Sequence, residues 1–401
     1  MLNRRKFIEK TTLAGIAMGG LPLLSQSTPT EEHPADKLFH PYAIAMWDFS
    51  WLERRWIGGG YEDWNKALDE LEERGYNAVR IDAYPHLVSE NPAKIWELIP
   101  VWNQNDWGAP AMVKVQVLPS LIEFIQKCGE RKIKVALSTW WRQDKQKTYM
   151  KVTDAASLAS VWKQTLDLLA KEDLLKHILY VDLSNEFALK VWTPFLQKSI
   201  KRNSDEGKKW MSQSIALLRQ QYPSIPYTFS ITSEFDTFTS EDVSYFSFLE
   251  LHIWMTSFSE FYKQVGYNYE RFKTTGYANL VAKGEALYLS KPDYWKQKLR
   301  KGVKLGVEWS KLSGKPLMST EGWAVVDYKD WPMLNWDWVK ELCEIGVAEA
   351  ALSGRWVALC TSNFCGPQFK GMWNDVAWHK KHTKMIKTSP VHKDLEHFFK
   401  G

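Results

Sequence analysis

The chain is short of cysteine, of excess charge and of long apolar runs, and each shortage removes a class of protein. Four cysteines (Cys128, Cys343, Cys360 and Cys365) in 401 residues are too few for a disulfide framework. Cys360 and Cys365 are close enough in sequence to pair, and two buried thiols fit the spacing as well. No CxxC pair and no HxH pair occurs, so neither a metal site nor any other cofactor is expected. The body has no run of ~18 apolar residues and so should not span a bilayer. The formal charge of +5 is mostly local. Residues 1–28 carry Arg4, Arg5, Lys6 and Lys10 against Glu9, a net of +3, which leaves +2 for the remainder. A near-neutral body gives no electrostatic case for nucleic acid or an anionic membrane as a partner.

Tryptophan, in contrast, is abundant. The 22 copies exceed what a core of this size usually needs. Indole faces stack on the C–H faces of sugar rings but also fill cores, so the count alone is only a pointer. The start, "NRRKFIEKTTLAGIAMGGLPLL", has a basic stretch followed by a short, Gly-containing apolar one. Arg4-Arg5 before Lys6-Phe7 reads as a twin-arginine-like export signal over 1–28, with a linker over 29–38. The expected location is the periplasm or the exterior, with one catalytic domain over 39–401.

Apolar strand-like runs then alternate with amphipathic helices. Strands are expected at 42–47, 77–84, 133–141, 177–186, 226–232, 246–254, 315–323 and 355–363. Helices are expected at 61–75 and 117–132, within 155–172 and 205–222, and at about 293–313 and 335–353. Eight strands apolar enough to be buried on both faces predict an α/β fold, a (β/α)8 TIM barrel. A doubly wound sheet would more often carry a Gly-rich nucleotide loop after its first strand, and "MWDFSWLERR" is not one. Long insertions follow strands two and six, at about 85–112 and 255–292.

In such a barrel the C-terminal strand ends converge on one face, where active sites are built. Their polar residues therefore belong together: Asp48; Arg80, Asp82 and Tyr84; Thr139, Trp140 and Trp141; Asn185 and Glu186; His252 and Trp254; Glu321 and Trp323; and Asn363. Glu186 and Glu321, 135 residues apart in sequence, should face each other across the mouth. Bland alternatives stand beside these readings. Arg80 could pair with Asp82 or Glu321 as a structural ion pair, and His252 could be a core histidine.

"SNEF" (184–187), "ELHIW" (250–254) and "STEGW" (319–323) together resemble the clan A glycoside hydrolases, cellulase-like and close to glycoside hydrolase family 5. The resemblance implies a retaining β-glycosidase acting on oligo- or polysaccharides. Glu186 would be the acid/base, Glu321 the nucleophile and Asn185 the group holding the sugar 2-hydroxyl. Arg80 would keep the nucleophile ionised, and His252 would match the histidine of a His-x-Tyr pattern. This chain has Trp254 in place of that Tyr, and no histidine ends its third strand. Trp51, Trp140, Trp141 and Trp323 are candidate sugar platforms, and Asp48, Trp254 and Asn363 candidate contacts. The alternatives are a barrel that binds sugar without cleaving it and an unrelated metal-dependent hydrolase. Sequence leaves the sugar, endo or exo action and the oligomeric state open.

Overall fold

The computed structural model describes residues 40–101, 109–196, 200–232, 235–269, 274–328 and 335–395. The expected signal and linker lie outside them. Eight parallel strands form the barrel: β1 Tyr42–Asp48, β2 Ala78–Asp82, β3 Lys134–Ser138, β4 Ile178–Asp182, β5 Tyr227–Thr228, β6 Leu249–Glu250, β7 Leu317–Ser319 and β8 Trp356–Leu359. The hydrogen-bonded order is β5-β4-β3-β2-β1-β8-β7-β6. The circle closes just past the end strands, where Ile231 and Leu251 form a parallel bridge. Beyond β6 and β7, Ile253–Trp254 and Gly322–Trp323 pair again as an upper continuation of the wall. The fold is therefore the (β/α)8 TIM barrel that the sequence predicts.

Strand alternation builds the barrel interior in layers. Ile44, Ala78, Ala136, Tyr180, Phe248, Met318 and Ala358 form a closed apolar floor. Two residues further along the same faces come Met46, Arg80, Ser138, Asp182, Glu250 and Thr320, which are also buried. The polar site thus rests on a dry plug. Outside the strands, amphipathic helices cover the barrel, among them Trp64–Glu73, Val117–Glu130, Ala155–Lys171 and Asp205–Gln221. Pro292–Ser313, Asp337–Leu352 and Val376–Thr388 continue the ring, and the last of these was not foreseen. Side-chain caps start several of them. Asp63 accepts from the Asn65 and Lys66 amides, and Asp154 forms a capping box with Ser157. The insertion after β2 contains an antiparallel hairpin, Ile95–Leu98 with Val113–Gln116. The insertion after β6 contains the helix Thr275–Ser290.

At least twelve of the 22 tryptophans are fully buried, so the excess serves the core first. All four cysteines are buried free thiols, which settles the Cys360–Cys365 alternative.

Candidate active site

Each of the first four strands leaves the barrel through a non-glycine residue with positive φ. These are Asp48 (41°), Tyr84 (48°), Trp141 (49°) and Glu186 (45°). Such backbone costs on the order of 1–3 kcal/mol per residue and collects at functional sites. At Glu186 the turn is held from both sides. The Asn185 amide donates to the Thr139 carbonyl at 2.9 Å, and the Glu186 amide donates to Ser230 Oγ at 2.8 Å.

The guanidinium of Arg80 organises the layer below. Its Nη1 donates to Glu321 Oε1 at 3.0 Å and to Thr320 Oγ1 at 3.1 Å. Its Nη2 donates to Asn185 Oδ1 at 2.7 Å and to Asp182. Glu250 Oε1 lies 3.6 Å from Nε. Burial opposes the charge on Arg80, but Glu250 and Asp182 outweigh it and hold the group cationic. The pairing with Glu321 is present; Asp82 instead accepts from the Tyr84 and Trp140 amides.

His252 sits between the acids. Its Nδ1 is 3.0 Å from Glu186 Oε1 and 3.8 Å from Glu321 Oε2, and its Nε2 is 3.5 Å from Glu250 Oε1. Burial pulls this imidazole down, yet Glu321, Glu186 and Glu250 push it up to about 10. The ring is therefore an imidazolium at neutral pH, with both nitrogens protonated. Glu250 is held down at about 2: burial raises it, and Arg80 and His252 more than compensate. Glu321 is pushed up to about 7, first by burial and then by Glu186, against the opposing pull of His252 and Arg80. Arg80 favours the ionised carboxyl, as expected of it, but burial and Glu186 outweigh that pull. The arginine is in place, but its charge is spread over three buried acids.

One oxygen from each of Glu186 and Glu321 and one His252 ring nitrogen lie within 4.8 Å of one another. Such a trio could ligate a metal only through a neutral imidazole. An imidazolium with Arg80 at 3.0 Å from Glu321 fits a pair of reacting carboxyls better.

A cleft of about 840 Å³ opens above the pair, within the size range of small-molecule sites. Asp48, Trp140, Asn185, Trp254, Asp327 and Asn363 line it beside both glutamates. The Asn363 amide is fixed by donation from Nδ2 to the Val326 carbonyl at 2.8 Å, while its Oδ1 has no partner among the described residues. Trp254 Nε1 is likewise buried and unpartnered. Trp140 carries the Arg80 guanidinium over its ring at 4.7 Å.

A family model described as sugar-binding cellulase-like matches residues 44–387. The chain belongs to this cellulase-like family. A crystal structure from Parabacteroides distasonis ATCC 8503, described as a candidate glycoside hydrolase, is 48% identical. It aligns over 89% of this chain and 96% of its own length, with a TM-score of 0.88. A glycoside hydrolase family 5 mannosidase from Rhizomucor miehei shares the fold at 11% identity, with a TM-score of 0.51 over 87% of this chain and 93% of the mannosidase. An endoglucanase does so at 11% identity and a TM-score of 0.50, over 86% and 97%. No curated protein matched.

Within this cellulase-like barrel, eight of the ten residues expected at the site come together: Glu186, Glu321, Asn185, Arg80, His252, Trp254, Asp48 and Asn363. Two stand apart from this group. Trp141 turns beneath the mouth, donating to Ser184 Oγ at 3.0 Å with its ring 4.8 Å from Phe195. Trp323 packs outward on Gly346 and donates to the Cys360 carbonyl at 3.1 Å. Trp51 is also core, its indole bonded to the Asp82 carbonyl. Sequence reasoning missed Asp182 and Glu250, although an acid inside an apolar barrel strand must find a cation, and that signal was present in "YVDL" and "FLEL". It also missed Trp192, whose Nε1 donates to Glu186 Oε2 at 2.9 Å, and Asp327 and Tyr269 on the cleft wall.

Proposed function

We propose that the protein is a retaining β-glycoside hydrolase acting on oligo- or polysaccharides by double displacement. The observation that carries this reading is the separation of the glutamates. With one oxygen of each within 4.8 Å of the other, the carboxyls stand nearer to the roughly 5–5.5 Å of retaining pairs than to the roughly 6.5–9.5 Å of inverting ones. Glu321 attacks the anomeric carbon as the glycosidic C–O bond breaks, and Glu186 gives its proton to the departing oxygen. Water then attacks the glycosyl ester, Glu186 takes its proton, and Glu321 leaves as the carboxylate. The permanent charge of Arg80 lies against Glu321 and favours the anion there.

Asn185, held by Arg80, is proposed to meet the sugar 2-hydroxyl. Asn363 Oδ1, Trp254 Nε1 and Asp48 offer an acceptor, a donor and a carboxyl to the remaining hydroxyls, and Trp140 offers a ring face. The twin-arginine-like segment supports action in the periplasm or outside the cell.

The test is turnover of aryl β-glycosides and soluble polysaccharides by the intact chain, Glu186→Ala and Glu321→Ala. Both variants should lose activity, Glu321→Ala by about 10⁵-fold or more. Azide should rescue Glu321→Ala and yield the inverted glycosyl azide. Activity indifferent to both substitutions would overturn the assignment.

A further inference from the structure

The two oxygens of Glu186 face different surroundings. Oε1 meets His252, which lies 3.8 Å from Glu321, so that side belongs to the sugar that becomes bound to the enzyme. Oε2 accepts from Trp192 Nε1 at 2.9 Å. Trp192 is also shared between two cavities. It lines the main cleft with both glutamates, and it lines a second cavity of about 160 Å³ with Pro100, Val101, Trp141 and Gln143. Trp140 and Val191 are the other shared walls. A glycosidic bond cut between Glu186 and Glu321 must place its departing half on the Oε2 side.

Building on the retaining reading, we propose that Trp192 is a positioning residue for the acid/base and that the second cavity receives the leaving saccharide unit. The indole does two things at once. Its N–H fixes the carboxyl so that the transferable proton points at the departing oxygen, and its ring offers an apolar face to the C–H face of the departing sugar. The loop is built to hold that pose. The Leu189 carbonyl accepts from the Trp192 amide at 2.9 Å and from the amide and hydroxyl of Thr193 at 2.9 and 2.8 Å. Three residues on, Phe195 is wedged against Trp141, a wall of the second cavity. Trp141 thus serves the leaving side rather than the main cleft.

The test compares two substrates with the same glycone, a 2,4-dinitrophenyl glycoside whose departure needs no proton and a disaccharide whose departure does. Trp192→Phe keeps the ring and removes the N–H. It should lower kcat/KM on the disaccharide by about 10- to 100-fold, the worth of a hydrogen bond to a charged group, and by at most about threefold on the dinitrophenyl glycoside. Trp192→Ala should in addition raise KM for the disaccharide and weaken product inhibition by the free leaving sugar. Circular dichroism of both variants guards against a folding defect. Equal losses on both substrates, or no loss, would overturn the proposal. A different pattern separates failure of the parent reading: there Glu186→Ala itself would show no such substrate split.

Discussion

The two halves of the barrel are built differently, and the proposed pair of catalytic acids straddles the divide. From β1 to β4 the strands are five to seven residues long, and β2 and β3 stay in register over five successive pairs. From β5 to β7 they are two or three residues long, and one bridge closes the seam. In the short half, side chains take over from the ladder. Thr228 Oγ1 donates to the Phe248 carbonyl, Ser247 Oγ accepts from the Tyr227 amide, and Ser230 bonds Asp182 and Glu186. Glu186 therefore follows the longer strands and Glu321 the shorter ones, with Arg80 reaching from the first to the second. A mechanism needing fixed carboxyls can be served by a sheet ladder or by a buried ion cluster, and this barrel uses one on each side.

Breaking the link should have the largest effect on the fold. Arg80→Met strands Asp182, Glu250 and Glu321 as buried acids and should cost about 3–5 kcal/mol in urea unfolding. A loss under about 1 kcal/mol would mean that the irregular half stands without the cluster. Acidity should weaken the irregular side next. Glu321 must be ionised to attack, and with its carboxyl pushed up to about 7, kcat/KM should fall about tenfold per pH unit below neutrality. Stability runs the other way. The folded state binds this proton more tightly than the unfolded chain, whose value is near 4.5, so stability from this group declines as pH rises from about 4.5 to about 7. Glu321→Gln should remove that decline in a melting series across the same window.

Ser230→Ala probes the junction more gently. It removes the acceptor under the Glu186 amide and one hydroxyl donor to the Asp182 carboxylate, and should cost about 1–3 kcal/mol. The smallest effect should appear in hydrogen exchange. The amides of Ile231 and His252, which bond across the seam, should exchange roughly tenfold faster than those in the β2–β3 ladder. Equal protection would erase the distinction between the halves.

The regular half was also the more legible in sequence. Its strands read as apolar runs and end in polar residues, so Glu186, Arg80 and the alternation of strand and helix could be placed from spacing alone. Glu321 and His252 could be placed for the same reason, since "STEGW" and "LHIW" follow apolar runs. The insertions carried no such period. The hairpin after β2, the helix Thr275–Ser290 and the cleft residues Trp192, Asp327 and Tyr269 depend on where loops fold back, and local pattern does not determine that. Trp141 and Trp323 turn away from the main cleft for a related reason. A strand-end tryptophan can face the cleft or the core, and the deciding backbone turn, such as the positive φ of Trp141, is not written in residue type.

The four left-handed exits at Asp48, Tyr84, Trp141 and Glu186 bear on how this mouth can change. Because the path of the chain, rather than any one side chain, aims each loop, a new residue at these positions inherits the aim of the old one. Aspartate, asparagine and glycine enter such backbone most readily, whereas β-branched residues are all but barred. At Asp48, which lines the cleft, exchange within that short set would remodel the mouth while the barrel beneath stays as it is.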